Sequence, residues 1–489
     1  VSRNQNKPFY EKITISDIGA EGKSLAKVGD KVVFTTHAIP GDVVDLQVTV
    51  KKRKYEEARI VRYHHYSEDR AEPFCSHFGL CGGCKWQNLP YPLQLHYKQK
   101  QVGDQLTRIG RLELPGISPI LGSSLNRFYR NKLEFSFSNN RWLTQEELGN
   151  QENISDRNVL GFHVPGMFDK IFHVEKCWLQ PEPSNAIRNW IFEYARDNGL
   201  SFFDIKAQQG FLRSLIIRTS TTGEAMVILT FFHENQEKRT NLLRSLMQAF
   251  PGITSLHFVI NSKGNDTITD QEVLLFSGRA YIEEEMEGLR FRIGPKSFYQ
   301  TNSLQSLELY RKVRELAGLT GEETVYDLYS GTGTISLFLA SHCKKVVGME
   351  YVPEATTDAR INAENNGIGN ARFFAGDIRN LLNREFIGKE GHPDVVITDP
   401  PRSGMHADVV ESIVEAAPSK IVYVSCNPAT QARDLSLLNP YYSVTAIQPV
   451  DMFPHTHHVE NIVRLIRRED RQAVDPVVQE EYHQRQTPE

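Results

Sequence analysis

Thr324-Val-Tyr-Asp-Leu-Tyr-Ser-Gly-Thr-Gly-Thr-Ile335 is the stretch on which the fold turns. It opens with a β-prone apolar run, passes through Gly331 and Gly333, and becomes helical in pattern near Ile335. Two glycines let the backbone turn sharply and approach a ligand closely. The third glycine of the dinucleotide fingerprint is missing, because Ser336 holds its position, and a nucleoside ligand without a pyrophosphate is favoured over NAD. Working outward, strands are predicted at 324–328, 345–350, 371–375, 394–398 and 421–425, with helices between them, such as 352–366 and 406–417. That alternation predicts an α/β domain with a parallel sheet covered on both faces. Strands at 442–450 and 461–467 should close it as an antiparallel hairpin. Glu350 ends the second strand and can accept hydrogen bonds from ribose hydroxyls, while Asp377 follows the third and can reach an adenine amino group. S-adenosylmethionine fits such a site.

The remainder of the 489 residues has room for further domains. Apolar content of 40% and charged content of 24% suit a soluble globular protein. No apolar run is long enough to span a bilayer, and the polar N-terminus lacks a signal-peptide core. A cytoplasmic protein without membrane contact is expected. The net charge of −4 conceals an asymmetry: residues 1–64 carry 12 Lys or Arg against 8 Asp or Glu, and residues 469–489 carry 2 against 6.

Four regions are expected. Residues 1–64 read as a small β-barrel, with strand-like runs at 10–15, 31–36, 43–51 and 57–63. Its Lys51-Lys-Arg-Lys-Tyr55 run mixes cations for phosphates with an aromatic for bases, though a solvated strand end reads the same way. Residues 65–285 read as an α+β domain that opens with a cysteine cluster, and its helix at 92–110 can pack on the catalytic domain. Strands are expected there at 132–138, 212–219, 224–232 and 255–260, helices at 183–198 and 236–250, and a loop insertion at 145–156. Residues 286–468 form the α/β domain, and 469–489 an acidic disordered tail.

Three blocks carry chemistry. Cys426 ends a predicted strand in Ile421-Val-Tyr-Val-Ser-Cys-Asn-Pro428, Asp399 and Arg402 flank the stiff Pro400-Pro401 turn, and Glu460 closes Asp451-Met-Phe-Pro-His-Thr-His-His-Val-Glu460. A uracil ring is a poor nucleophile at carbon 5 until a thiolate adds at carbon 6, and a base must later remove the carbon 5 proton. Cys426 is the expected nucleophile, Glu460 the base, and Asp399 with Arg402 the groups that hold the ring. A lone cysteine is more often a small core residue, and Cys343 is read that way. His455, His457 and His458 are read as shaping the loop before Glu460 rather than as metal ligands. Cys75, Cys81 and Cys84, with Cys177 as a distant fourth, give four thiolates suited to zinc or to an iron–sulfur cluster.

These blocks carry a resemblance. Asp399-Pro-Pro-Arg-Ser-Gly404 followed by Ile421-Val-Tyr-Val-Ser-Cys-Asn-Pro-Ala-Thr430, and then Val450–Glu460, look like the two signatures of the bacterial RNA uracil-5 methyltransferases. Within that family the chain most resembles the enzymes that make 5-methyluridine in 23S rRNA and carry an iron–sulfur cluster. The resemblance implies a Rossmann-like class I methyltransferase domain, with Cys426 as nucleophile and Glu460 as proton acceptor. It also implies S-adenosylmethionine held by Gln300, Tyr329, Glu350 and Asp399, with Gly331, Gly333 and Asp377 around it. Thr334 stands where some members have an Asn, so that contact is not carried over. The N-terminal barrel would be the RNA-binding, TRAM-like module of the family. Cys75, Cys81, Cys84 and Cys177 would hold a [4Fe–4S] cluster in preference to zinc. The partner would be RNA, 23S rRNA ahead of tRNA, with the protein a monomer. Two other classes compete. An amino-group methyltransferase would have an aromatic residue after the prolines and no use for Cys426; a cluster-bearing RNA-binding protein would need neither Cys426 nor Glu460.

Overall fold

The computed structural model describes residues 7–144, 147 and 156–468. The expected acidic tail and most of the 145–156 insertion lie outside the described residues. The described residues fall into two compact units that alternate along the sequence: one from stretches 7–98, 122–307 and 451–458, the other from 99–121, 308–450 and 459–468.

The second unit is the α/β domain. Its seven-stranded sheet comprises β16 (Thr324–Leu328), β17 (Lys345–Glu350), β18 (Ala371–Ala375), β19 (Val395–Thr398), β20 (Lys420–Ser425), β21 (Tyr442–Val450) and β22 (Glu460–Arg467), in the order β18-β17-β16-β19-β20-β22-β21. The first five are parallel, and β22 runs antiparallel to both β20 and β21. Strands buried on both faces need continuous apolar runs, and β19 (Val-Val-Ile-Thr) is buried throughout. The core joins Tyr326, Val347, Val396, Tyr423 and Val463 to Val102 and Leu106, from the later part of the helix Tyr91–Arg108.

The first unit holds two larger sheets and a hairpin. Six strands, β1 (Phe9–Thr14), β2 (Asp17–Ile18), β3 (Ser24–Val28), β4 (Lys31–Thr35), β5 (Val43–Lys51) and β6 (Tyr55–His65), run in the order β1-β5-β6-β4-β3-β2. The two edge strands β1 and β2 are consecutive in the chain, joined by Ile15 and Ser16 alone, and the sheet curls around Ile15, Ala26, Val33, Val44 and Leu46. A seven-stranded sheet follows from β7 (Lys132–Ser138), β8 (Val159–Val164), β9 (Met167–His173), β10 (Leu212–Thr219), β11 (Ala225–Phe231), β12 (Ser255–Ile260) and β13 (Leu274–Gly278), antiparallel except for β11 against β12. The helices Ser184–Asp197 and Gln236–Ala249 share its core through Ile187, Ile191, Leu242 and Leu246. The hairpin β14 (Ile282–Met286) and β15 (Leu289–Ile293) completes the unit.

Candidate active site

The chain leaves β16 toward β17 on one side of the sheet and leaves β19 toward β20 on the other. Such a reversal opens a crevice at the carboxyl ends of the strands. The glycine loop follows β16, Asp399 follows β19, and Cys426 follows β20. Register brings Glu460 to the same edge: Ser425 pairs with Asn461 across antiparallel strands, so Cys426 and Glu460 are the next residues out on either side. Asn427 then caps the helix Pro428–Leu438, its side chain accepting from the Ala429 amide at 3.1 Å, with Pro428 in the first turn. An Asn cap with Pro at the first helical position fixes where the helix starts and so fixes the half-buried thiol just before it.

Cys426, Glu460 and Asp399 are each shifted by their surroundings. Burial pushes the Cys426 thiol up to about 11, Glu460 and Asp399 push it further in the same direction, and Arg402, which hydrogen-bonds the sulfur, pulls it back. Glu460, only 4% exposed, is pushed up to about 8 by burial and by Asp399, against the pull of Arg402. Asp399 is pushed up to about 7 by burial and by Asp327. The neutral form of a crowded, desolvated carboxyl is favoured, and a base titrating near neutrality suits proton transfer. Asn427 and Thr430 hold the Arg402 carbonyl at 3.0 and 3.2 Å, which ties the proline turn to the nucleophile's helix.

On the glycine side, Tyr329, Gly331 and Gly333 all have positive φ, at 65, 55 and 80°. A Cβ on Gly333 would lie 3.0 Å from both Ala359 and Phe373, whereas one on Gly331 would meet nothing within 4 Å. Glycine is thus needed at 333 for packing and at 331 for backbone conformation alone. The Glu350 carboxylate is pinned by the Gly331 amide at 2.9 Å and the Val352 amide at 2.8 Å, and the lone pairs it has left can serve a ribose. Open backbone, a fixed carboxylate and Asp399 in one crevice form a donor and acceptor set that fits a nucleoside cofactor. Asp377 caps a short helix and is held by Arg379 in a forked ion pair, so an adenine amino group would have to share it. Gln300 lies in the first unit, where its carbonyl accepts from Asn131 at 2.9 Å.

Sequence reading did not single out three groups. Asp327, next to the carboxyl end of β16, is buried and pushed up to about 7, with Ser336 donating to it at 2.5 Å. Tyr310 is buried, its hydroxyl 3.3 Å from Thr334, and its pKa is raised by burial and by Asp399, Asp327 and Glu460. Ser336 was legible as the missing glycine, but nothing marked Tyr310 within its helix. The third group is in the first unit, where Lys98 and Asp451 form a fully buried ion pair at 2.5 Å, with the Tyr91 hydroxyl donating to Asp451 at 2.9 Å. His455 sits in the same loop, 3.1 Å from the Gln94 amide, and burial lowers its pKa to about 4.

Among the described residues, no group of three or more His, Cys, Asp or Glu is placed to hold a metal ion. Cys75, Cys81, Cys84 and Cys177 line one small pocket in the first unit, with Phe78, Phe162 and Trp178 around them. Burial pushes Cys81 to about 11 and Cys84 to about 12, and the thiols raise one another. Four desolvated thiols facing a shared space form a soft donor set of the kind zinc or an iron–sulfur cluster takes.

Comparison with known proteins agrees with this geometry. Residues 212–468 match the family model described as tRNA (Uracil-5-)-methyltransferase. An uncharacterized RNA methyltransferase of Bacteroides thetaiotaomicron is 59% identical over 92% of this chain and 99% of its own, and one of Porphyromonas gingivalis is 54% identical over 93% and 99%. The crystal structure of Pyrococcus abyssi tRNA (uracil-54, C5)-methyltransferase in complex with S-adenosyl-L-homocysteine superposes with a TM-score of 0.72 at 28% identity, covering 93% of this chain and 99% of that one. No described helix is long and apolar enough to cross a membrane.

Proposed function

This chain belongs to the tRNA (uracil-5-)-methyltransferase family and is an RNA methyltransferase; from that premise we propose that it methylates carbon 5 of a specific uridine through a covalent bond to Cys426. The observation that carries the proposal is the meeting of Cys426, Glu460, Asp399 and Arg402 at one sheet edge, where burial and neighbouring charge raise the pKa values of Cys426, Glu460 and Asp399. Arg402 favours the thiolate, which adds to carbon 6 while the ring π pair moves onto the carbon 4 oxygen as an enolate. S-adenosylmethionine, when bound at Tyr329, Gly331, Gly333, Glu350 and Asp399, supplies the methyl group that carbon 5 attacks. Glu460, as carboxylate, takes the carbon 5 proton, the carbon 5–carbon 6 double bond re-forms, and the Cys426 sulfur departs with the bonding pair. Gln300 and Asp377 complete the proposed cofactor contacts.

The cysteine pocket is proposed to hold a [4Fe–4S] cluster, for which Cys75, Cys81, Cys84 and Cys177 would supply the four thiolates such a cluster takes. Its role is structural, since methyl transfer moves no net electrons. The curled N-terminal sheet, with Arg59 and Arg62 on β6, is proposed as a TRAM-like RNA module. Ribosomal RNA is the proposed substrate on the strength of the four cysteines and the barrel; tRNA is favoured instead by the Pyrococcus enzyme's likeness. RNA carrying 5-fluorouridine should form a denaturation-resistant adduct with the parent protein and none with Cys426→Ala. Equal trapping by the alanine variant would refute the nucleophile. Mapping of 5-methyluridine in rRNA and tRNA from a deletion strain assigns the substrate, and iron and sulfide analysis tests the cluster.

A further inference from the structure

Around the rim of the cysteine cavity, cations and aromatic rings are stacked on one another. The Arg127 guanidinium lies 3.9 Å from the Phe74 ring centre and 5.5 Å from that of Trp178. The Lys176 ammonium lies 4.0 Å over Trp178. Phe128 packs against the same indole at 5.5 Å. Arg127 and Lys176 are both exposed, and among the described residues neither has a carboxylate within ion-pair distance. Leu125 and Phe128 are 43% and 36% exposed. Phe128 also has φ 55°, a costly conformation for a bulky residue. Hydrogen bonds from its own amide to the Trp178 carbonyl at 2.7 Å and from the Arg130 amide to the Leu179 carbonyl at 2.8 Å hold it there.

We propose that Arg127, Phe128, Lys176 and Trp178 form a contact surface for single-stranded RNA, distinct in its residues from the reacting groups and from the basic β6 strand. Each cation has one face on a ring and leaves N–H donors toward solvent, an arrangement that takes phosphate oxygens while the ring keeps the side chain in place. The exposed Phe128 ring, presented by strained backbone, supplies a platform for a base. The inference rests on the family's RNA substrate and needs neither the cluster nor the covalent step.

The test is fluorescence anisotropy of the full-length protein with a fluorescein-labelled single-stranded oligoribonucleotide of mixed sequence, over a salt series. Arg127→Ala with Lys176→Ala should weaken binding about tenfold and lower the salt slope by about 1.4, two phosphates at about 0.7 each. Phe128→Gly relieves the backbone, so its melting temperature should hold or rise while RNA affinity falls about tenfold. Lys238→Ala with Arg244→Ala removes the same charge from the exposed face of the helix Gln236–Ala249 and should change affinity by less than about twofold. An unchanged salt slope in the Arg127/Lys176 variant, or an equal loss in the Lys238/Arg244 control, would overturn the proposal. So would retained RNA binding with lost binding to polyglutamate, which would assign the surface to an acidic protein.

Discussion

Replacing Glu460 by Gln separates the base from the nucleophile, because the two titrate in different ranges. Glu460 titrates near 8, so at pH 7 it is about nine-tenths protonated and exerts little charge on the sulfur. At pH 9.5 it is ionised and holds the Cys426 thiol up. A like charge at this range is worth about one pKa unit, so the variant should carry about tenfold more thiolate there. A thiolate of lower pKa is less nucleophilic, with a Brønsted coefficient of about 0.4–0.5, which offsets about threefold of that gain. Iodoacetamide should therefore alkylate Cys426 in the Gln variant about threefold faster than in the parent at pH 9.5, and at nearly equal rates at pH 7. Peptide mass spectrometry reads each site, with the buried Cys343, held up by burial and by Glu323, as internal reference. A rate ratio that is the same at both pH values, or a slower variant at pH 9.5, would refute the coupling. With RNA and S-adenosylmethionine present, the same variant should accumulate the covalent adduct, because the carbon 5 proton stays in place.

Three further outcomes follow from the geometry. Asp327 is held near 7, above its unfolded value, so it contributes full stability below about pH 4 and loses it as pH rises through 7; Asp327→Asn should flatten that fall and gain roughly 3 to 4 kcal/mol on the parent at pH 8, read from urea midpoints at pH 5 and 8. Lys98→Met leaves the Asp451 carboxylate buried without its cation and should cost about 3 to 5 kcal/mol in urea unfolding; a loss under about 1 kcal/mol would show that Tyr91 and the Phe453 amide already satisfy the carboxylate. Gly333→Ala forces a Cβ to within 3.0 Å of Ala359 and Phe373 at φ 80° and should cost about 1 to 3 kcal/mol, with weaker S-adenosylhomocysteine binding by calorimetry.

The α/β sheet was legible because its strands are short apolar runs punctuated by turn residues, and Glu460 was legible because a signature ends on it. The hairpin β14–β15 was not. Ile282-Glu-Glu-Glu-Met286 reads as a charged loop, yet Glu284 is fully buried and accepts from the Thr221 amide at 2.9 Å and from Ser303 at 2.5 Å. Partners more than sixty residues upstream and nineteen downstream turn that acid into a core residue, and no local pattern announces them. β8 was hidden for another reason: Gly161 sits in mid-strand because a Cβ there would lie 2.0 Å from the Phe172 carbonyl oxygen, and a strand glycine weakens the local signal. The pKa shifts at the active site depend on strand order, which spacing alone does not specify.

The polypeptide passes back and forth between its two compact bodies five times, at 98/99, 121/122, 307/308, 450/451 and 458/459. A single cut anywhere in the gene therefore cannot deliver either body whole, so truncations meant to isolate a catalytic half will yield fragments missing part of their own interior. During synthesis the first body waits for residues 451–458 and the second for β22 (Glu460–Arg467), so neither is complete until the ribosome has passed the last signature.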